Sequence, residues 1–148
     1  MVAIGCDRAG YVLKNTVLEF LKARGIEYQD FGVYDDQEAS DYPEMAALVA
    51  HKVASGEFEK GILLCGTGIG MSICANKVNG VRAAVCSDAY SCEYTRLHND
   101  ANILCLGGRV IDNQRCLELI TLFFDTAFEG GRHARRVEMY TKIENGEI

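Results

Sequence analysis

The sequence predicts an α/β fold, a three-layer α/β/α sandwich around a Rossmann-like five-stranded parallel sheet. Strand-like and helix-like runs alternate along all 148 residues, which is the pattern of successive β-α units. The run at residues 61–65 is apolar throughout, as expected for a central parallel strand that is covered on both faces. The length suits one core, so we expect residues 1–148 to form a single domain.

The predicted elements follow one another with short connections. Short apolar runs predict strands at residues 2–6, 26–31, 61–65, 82–86 and 102–106. Helical spacing of apolar residues predicts helices at residues 10–24, 41–55, 71–78, 89–98, 112–127 and about 133–144. Gly25, Pro43 and Asp112 are typical residues of helix ends. Ligands bind beyond the carboxyl ends of parallel strands, so residues that follow those ends are the first candidates for a functional site.

Composition excludes several classes of protein. The net charge of −6 argues against general affinity for nucleic acid or for anionic membrane surfaces. No apolar run approaches the ~20 residues of a membrane helix. The start of the chain lacks the basic segment of a signal peptide, so we expect a cytoplasmic protein. The seven cysteines include no C-x-x-C pair, which is typical of reduced thiols rather than of a disulfide framework or a zinc site.

The segment Cys-Gly-Thr-Gly-Ile-Gly at residues 65–70 follows the predicted central strand and precedes a helix. Alternating glycines let the backbone aim several N–H groups at one point, and a helix N-terminus adds to the attraction for an anion. These surroundings favour the thiolate form of Cys65. A tight turn beside a core cysteine explains the same residues equally well. Met71 and the missing Gly-Lys-Ser/Thr exclude dinucleotide, P-loop and Cys-x5-Arg phosphatase motifs.

Two further groups of residues suit a reaction on an anionic substrate. His98 leads into a polar corner at residues 99–102, whose side chains could orient it for proton transfer. Arg132 and Arg136 are four residues apart and share one helix face with His133. A solvated basic patch is one interpretation of this face. A phosphate clamp is the other, because arginine matches phosphate oxygens in fork geometry.

Almost end to end, these motifs resemble those of type B ribose-5-phosphate isomerases, in the wider family that includes allose-6-phosphate and galactose-6-phosphate isomerases. The similar segments are residues 5–7, 41–43, 65–70, 72–73, 75–77, 98–102, 130–133 and 136–137. The resemblance implies interconversion of ribose 5-phosphate and ribulose 5-phosphate through an enediolate, with no metal or other cofactor. It also implies a homodimer or homotetramer with shared active sites, in which the C-terminal helix at about 133–144 reaches a partner subunit.

The resemblance also implies a role for each site residue. Cys65 would be the base that moves a proton between C1 and C2, and His98 would open the furanose ring. Thr67 and the backbone amides of the loop would hold the enediolate oxygens. The loop residues implied in substrate binding are Gly66, Gly68, Ile69 and Gly70. The other implied contacts are Asp7 and Asn99 with sugar hydroxyls, Tyr42 with the pocket, and Arg109, Arg132, His133 and Arg136 with the phosphate.

Arg8 departs from the family pattern, which usually has histidine after the aspartate. Arginine is longer, permanently charged and forked. It could contact the phosphate, narrow the pocket or shift the preference to another sugar. The alternatives are therefore an isomerase of a six-carbon aldose phosphate, such as allose or galactose 6-phosphate, and a non-catalytic sugar-phosphate sensor on the same fold.

Overall fold

The computed structural model describes residues 1–148 and contains five strands and six helices. The strands are β1 (Val2–Cys6), β2 (Tyr28–Asp30), β3 (Lys60–Cys65), β4 (Ala83–Val85) and β5 (Ile103–Gly107). The helices are α1 (Tyr11–Ala23), α2 (Tyr42–Ala54), α3 (Ile69–Ala75), α4 (Ala89–Asn99), α5 (Asn113–Asp125) and α6 (Arg132–Glu144). None of these helices is both long enough and apolar enough to span a membrane.

All five strands pair in parallel in the order β2-β1-β3-β5-β4. The chain leaves β1 toward one edge of the sheet, at β2, and then returns to build the other half from β3. The carboxyl ends of β1 and β3 therefore flank the point where the direction of winding reverses, which is where open α/β sheets bind ligands. The predicted α/β fold with a five-stranded parallel sheet is confirmed.

Apolar side chains cover both faces of the sheet, because successive residues of a strand point to opposite sides. In β3, Ile62 and Leu64 pack in the larger apolar cluster, with side chains of α1 and α5. Leu63 and Cys65 pack in the second cluster, with side chains of α2 and α3. Cys65 thus ends a strand that is buried from Gly61 onward, and it lies on the α2/α3 side.

The predicted helix at residues 71–78 was wrong at both ends. Gly68 adopts φ +80 and caps α3, so the helix begins at Ile69. It ends at Ala75 because the Asn76 side chain leaves the helix and pairs with both the N–H and the C=O of Ala83. β2 and β4 are also shorter than the predicted runs at 26–31 and 82–86, since only Tyr28–Asp30 and Ala83–Val85 pair in register with the neighbouring strands.

Candidate active site

A cleft of about 400 Å³ opens at the carboxyl ends of β1 and β3. Eight of the residues singled out in the sequence line it: Asp7, Arg8, Tyr42, Cys65, Gly66, Thr67, Gly70 and Arg109. They come from four segments of the chain that the parallel sheet brings to one edge. Gly68 and Ile69 belong to the same loop without lining the cleft.

The Cys65 thiol is held at the floor of this cleft. Its side chain is nearly buried, with 5% of the residue exposed. The backbone N–H of Gly68 donates a hydrogen bond to its Sγ atom over 3.1 Å. A backbone donor aimed at sulfur stabilises negative charge there. The reactive atom of Cys65 therefore lies at the cleft with a backbone donor already aimed at it.

Two hydrogen bonds join the loop after β3 to the loop after β5. The N–H of Gly108 donates to the carbonyl of Cys65 over 2.8 Å, and the N–H of Arg109 donates to the carbonyl of Gly66 over 2.9 Å. These bonds continue the β3–β5 ladder past the last residues of the strands. They place the Arg109 side chain beside Gly66.

Glycine is required where α1 meets the end of β3. A Cβ atom at Gly10 would lie 2.3 Å from the carbonyl carbon of Leu64 and 2.6 Å from the nitrogen of Cys65. The N–H of Gly10 donates to Oδ1 of Asp7 over 3.0 Å. This contact fixes the Asp7 carboxylate at the cleft and leaves its Oδ2 free of hydrogen bonds within the protein. The free oxygen can accept a hydrogen bond from a hydroxyl group.

The cleft carries excess positive charge. Arg8 and Arg109 both line it, and neither forms a salt bridge within the chain. Asp7 is the one carboxylate among the lining residues. Guanidinium groups that lack a protein partner suit a phosphate, which they can bind through two parallel hydrogen bonds.

The other predicted residues lie in a second cluster. His98 and Asn99 end α4, while Arg132, His133 and Arg136 belong to the first turns of α6. The imidazole rings of His98 and His133 stack with centroids 3.9 Å apart and planes 12° apart. None of these five residues lines the cleft around Cys65. The predicted residues therefore fall into two groups within one chain.

Glu129 bridges the two histidines of this cluster. Its Oε2 atom lies 3.3 Å from Nε2 of His98 and 3.5 Å from Nε2 of His133. Burial is the main cause that lowers the pKa of His133, and the neighbouring His98 and Arg132 lower it further. The negative charge of Glu129 raises that pKa and so opposes these effects. The net result is a lowered pKa, which favours the neutral form of His133.

The three side chains could offer nitrogen and oxygen ligands to a metal ion, but their geometry does not fit one. An imidazole binds a metal through a lone pair that lies in the plane of its ring. Because the two rings are stacked face to face, no point at bonding distance lies in both planes. A shared ion would require one ring to rotate out of the stack.

Five of the six remaining thiols are buried, and Cys74 is half-buried. Burial raises the pKa of Cys6 and of Cys116 to about 12, and it raises the pKa of Cys105 as well. Among the seven cysteines only Cys65 lines the cleft. The structure thus separates one thiol at a polar cleft from thiols that act as small core residues.

Four residues of these groups were not predicted from the sequence, and the first of them, Ala9, lines the cleft next to Arg8. Ala39 and Ser40 line the cleft just before the Asp-Tyr-Pro segment, and that adjacent motif was the available signal. For Glu129 the only indication in the sequence is that it stands four residues before His133. Because residues 126–131 precede α6, the spacing of residues along a helix could not be used to pair Glu129 with His133.

Comparison with known proteins identifies a family for this fold and cleft. The sequence model of the Ribose/Galactose Isomerase family matches residues 2–140. The chain is 46% identical over 143 residues to the ribose-5-phosphate isomerase B of Escherichia coli K12, covering 97% of this chain and 95% of that protein. It is 44% identical over 146 residues to the D-erythrulose-4-phosphate isomerase of Pectobacterium atrosepticum, covering 99% and 96% respectively.

Solved structures agree with these relatives. The ribose-5-phosphate isomerase B of Clostridium thermocellum superposes with a TM-score of 0.94 at 46% identity, covering 99% of each chain. That of Mycoplasma genitalium with bound ribulose-5-phosphate gives a TM-score of 0.92 at 36% identity, covering 97% of this chain and 95% of that chain. The chain therefore belongs to the Ribose/Galactose Isomerase family and is a sugar-phosphate isomerase, an intramolecular oxidoreductase, as the sequence predicted.

Proposed function

We propose that the protein interconverts ribose 5-phosphate and ribulose 5-phosphate through an enediolate, with Cys65 as the base. The observation that carries the proposal is the placement of a single nearly buried thiol, with a backbone N–H on its sulfur, in a cleft that holds two unpaired arginines. The relatives named for ribose 5-phosphate support the choice of sugar.

The proposed reaction needs a base, a site for an oxyanion and an anchor for the phosphate. The Cys65 thiolate removes the proton on C2 of the open-chain aldose and returns it to C1. A positioned base contributes about 10²–10⁴-fold to the rate. Thr67 and the loop amides stabilise the charge on the enediolate oxygens, and one such donor contributes about 10²–10³-fold. The phosphate contacts supply binding energy for orientation.

We propose that two copies of the chain complete each site. His98, Asn99, Arg132, His133 and Arg136 lie outside the cleft of their own chain, yet the reaction needs ring opening and a phosphate anchor in addition to a base. In a homodimer, or a homotetramer built from such dimers, the partner subunit's His98 would open the sugar ring over Cys65. The partner subunit's Arg132 and Arg136 would bind the phosphate together with Arg109.

Mixing two inactive variants tests the shared site. Cys65→Ala lacks the base, and the double variant Arg132→Ala, Arg136→Ala lacks the proposed phosphate anchor, so each alone is expected to be inactive. Random reassortment of subunits places one intact site in half of the dimers, so activity should recover to about a quarter of the wild-type value. Turnover after subunit exchange, with sedimentation to confirm dimers, measures this. A mixture that stays inactive although exchange has occurred contradicts shared sites.

Arg8 bears on which sugar phosphate is preferred. The D-erythrulose-4-phosphate isomerase, at 44% identity, indicates that close relatives act on other chain lengths. Arg8 lies in the cleft with Arg109, where a longer cation can bind phosphate directly. The alternative substrate is a six-carbon aldose phosphate, allose or galactose 6-phosphate, in keeping with the galactose in the name of the family.

A turnover panel decides between these substrates. We expect wild-type protein to have its highest kcat/KM with ribose 5-phosphate and lower values with allose 6-phosphate and galactose 6-phosphate. Arg8→His should change the ratio of these values by about tenfold, because one charged hydrogen bond is worth about 1.5–3 kcal/mol. Arg115→His, at an exposed arginine outside the cleft, is the matched control. Identical ratios for wild type and Arg8→His would remove Arg8 as a specificity determinant.

A further inference from the structure

The cluster of His98, Glu129 and His133 contains one residue to which no role has been given. Glu129 lies in the segment between α5 and α6, and its Oε2 atom lies 3.3 and 3.5 Å from the Nε2 atoms of His98 and His133. We propose that Glu129 is a positioning residue that fixes the tautomer and orientation of His98 for opening of the sugar ring. The inference rests on the proposed function, since it requires His98 to act on a cyclic aldose phosphate.

The charge of Glu129 determines which ring nitrogen carries hydrogen. An ionised carboxylate can only accept hydrogen bonds. A carboxylate oxygen 3.3 Å from Nε2 of His98 disfavours a lone pair on that nitrogen, so the proposed tautomer carries its hydrogen on Nε2. The neutral ring then presents Nδ1 as its basic atom. Ring opening requires a base that removes the proton from the C1 hydroxyl and an acid that gives a proton to the ring oxygen. Nδ1 of His98, as a defined basic nitrogen, can serve as that base.

The surroundings hold the His98 ring in one orientation. One face stacks on His133, and the ring of Tyr94 meets it edge to face with centroids 4.9 Å apart. The backbone N–H of Glu129 donates to the carbonyl of Leu97 over 3.0 Å, which ties residues 126–131 to the last turn of α4. The carboxylate is thereby anchored to the residue next to His98 in the chain.

Glu129 also lies near the second histidine. His133 is 7% exposed and packs against the ring of His98. Because the two rings are stacked, Oε2 of Glu129 does not lie in both ring planes, so its effect on His133 at 3.5 Å is electrostatic. Loss of the carboxylate would free the His98 ring to exchange tautomers. The effect on catalysis would pass through His98, which makes Glu129 a positioning residue and not a catalytic one.

Two reactions of one substrate pair separate ring opening from proton transfer. Ribose 5-phosphate is mostly a furanose, whereas ribulose 5-phosphate has its O5 blocked by phosphate and stays open-chain. Exchange of the C1 proton of ribulose 5-phosphate with D2O therefore needs Cys65 but no ring opening. In Glu129→Gln we expect conversion of ribose 5-phosphate to fall by about tenfold or more. Deuterium incorporation at C1 should stay within about twofold of wild type.

Nitrogen-15 NMR of the histidine side chains gives a second readout. Wild-type protein should show His98 as the Nε2–H tautomer, and Glu129→Gln should show a mixture, because an amide carries no full charge and can donate as well as accept. His51, exposed on α2, is the internal reference and should not change. Glu138→Gln removes the same charge from an exposed position on α6 and should match wild type in every assay.

Each outcome decides the inference. Loss of aldose conversion with retained C1 exchange and a changed His98 tautomer supports it. Equal loss of both reactions, no loss of either, or an unchanged tautomer overturns the role of Glu129 while the isomerase activity stands. Wild-type protein that catalyses neither reaction overturns the proposed function itself. Glu129 is more than half exposed, so its replacement should leave the unfolding temperature unchanged.

Discussion

Replacement of Cys65 by alanine is expected to lower kcat for ribose 5-phosphate by about 10²–10⁴-fold. The Cys65 side chain is the only group in the cleft that is both nearly buried and held by a backbone donor on its reacting atom. Asp7, the other anion there, is tied to Gly10. Alanine removes the base but leaves the loop amides, Thr67 and the arginines in place. Binding of the phosphate should therefore persist, so KM should change little.

Cys74→Ala is the matched control for this variant. Cys74 belongs to α3, one turn beyond the loop, and is half-buried beside the second apolar cluster. It does not line the cleft, so its replacement should leave kcat unchanged. Initial rates and thermal unfolding of both variants separate loss of the base from loss of folding. Turnover of Cys65→Ala at a near wild-type rate would contradict the proposed mechanism.

Replacement of Gly10 by alanine is expected to damage both folding and activity. The added Cβ would lie 2.4 Å from the carbonyl oxygen of Leu64 and 2.6 Å from the nitrogen of Cys65. Both are backbone atoms of the central strand, so relief requires α1 to move away from β3. Forced overpacking of this kind costs about 1–3 kcal/mol, and here it also displaces the residue proposed as the base. We expect a lower free energy of unfolding and at least a tenfold loss of kcat, since small misplacements are costly.

Gly66→Ala is the comparison for stability. A Cβ at Gly66 would meet Ala9 and Arg109 at 3.5 Å, which is ordinary van der Waals contact. Urea unfolding should therefore show a midpoint close to wild type for Gly66→Ala and a clearly lower one for Gly10→Ala. Equal midpoints for the two variants would show that α1 and β3 do not pack as tightly as described.

The sequence was most informative where a regular pattern of apolar residues determines the secondary structure. Alternating β and α runs and the apolar run before Cys65 predicted the sheet, because a parallel strand buried on both faces needs apolar residues throughout. The cleft followed from the topology, since parallel strands end at one edge. The start of α3 was missed because alternating glycines permit several turn geometries, and only the positive φ of Gly68 decides among them.

The second group of residues was predicted less completely. His98 and Arg132 were found from their polar surroundings, yet nothing in the spacing places them outside the cleft of their own chain. That separation depends on where α4 and α6 lie against the sheet, which is a matter of tertiary packing. Glu129 escaped notice because its partners are side chains on two different helices, and no local pattern joins it to His98.

The two hydrogen bonds that link Cys65 to Gly108 and Gly66 to Arg109 have a consequence for substrate length. They make the backbone beneath the proposed base and the backbone beneath the proposed phosphate ligand parts of one rigid body. The distance between those two points is therefore fixed, and it sets the length of sugar phosphate that fits without strain. A sugar phosphate with one carbon more or fewer must adjust its own torsion angles to fit, since the scaffold under it cannot stretch. If the chain acts on ribose 5-phosphate as proposed, this fixed span would favour one chain length, and side chains such as Arg8 would adjust the preference.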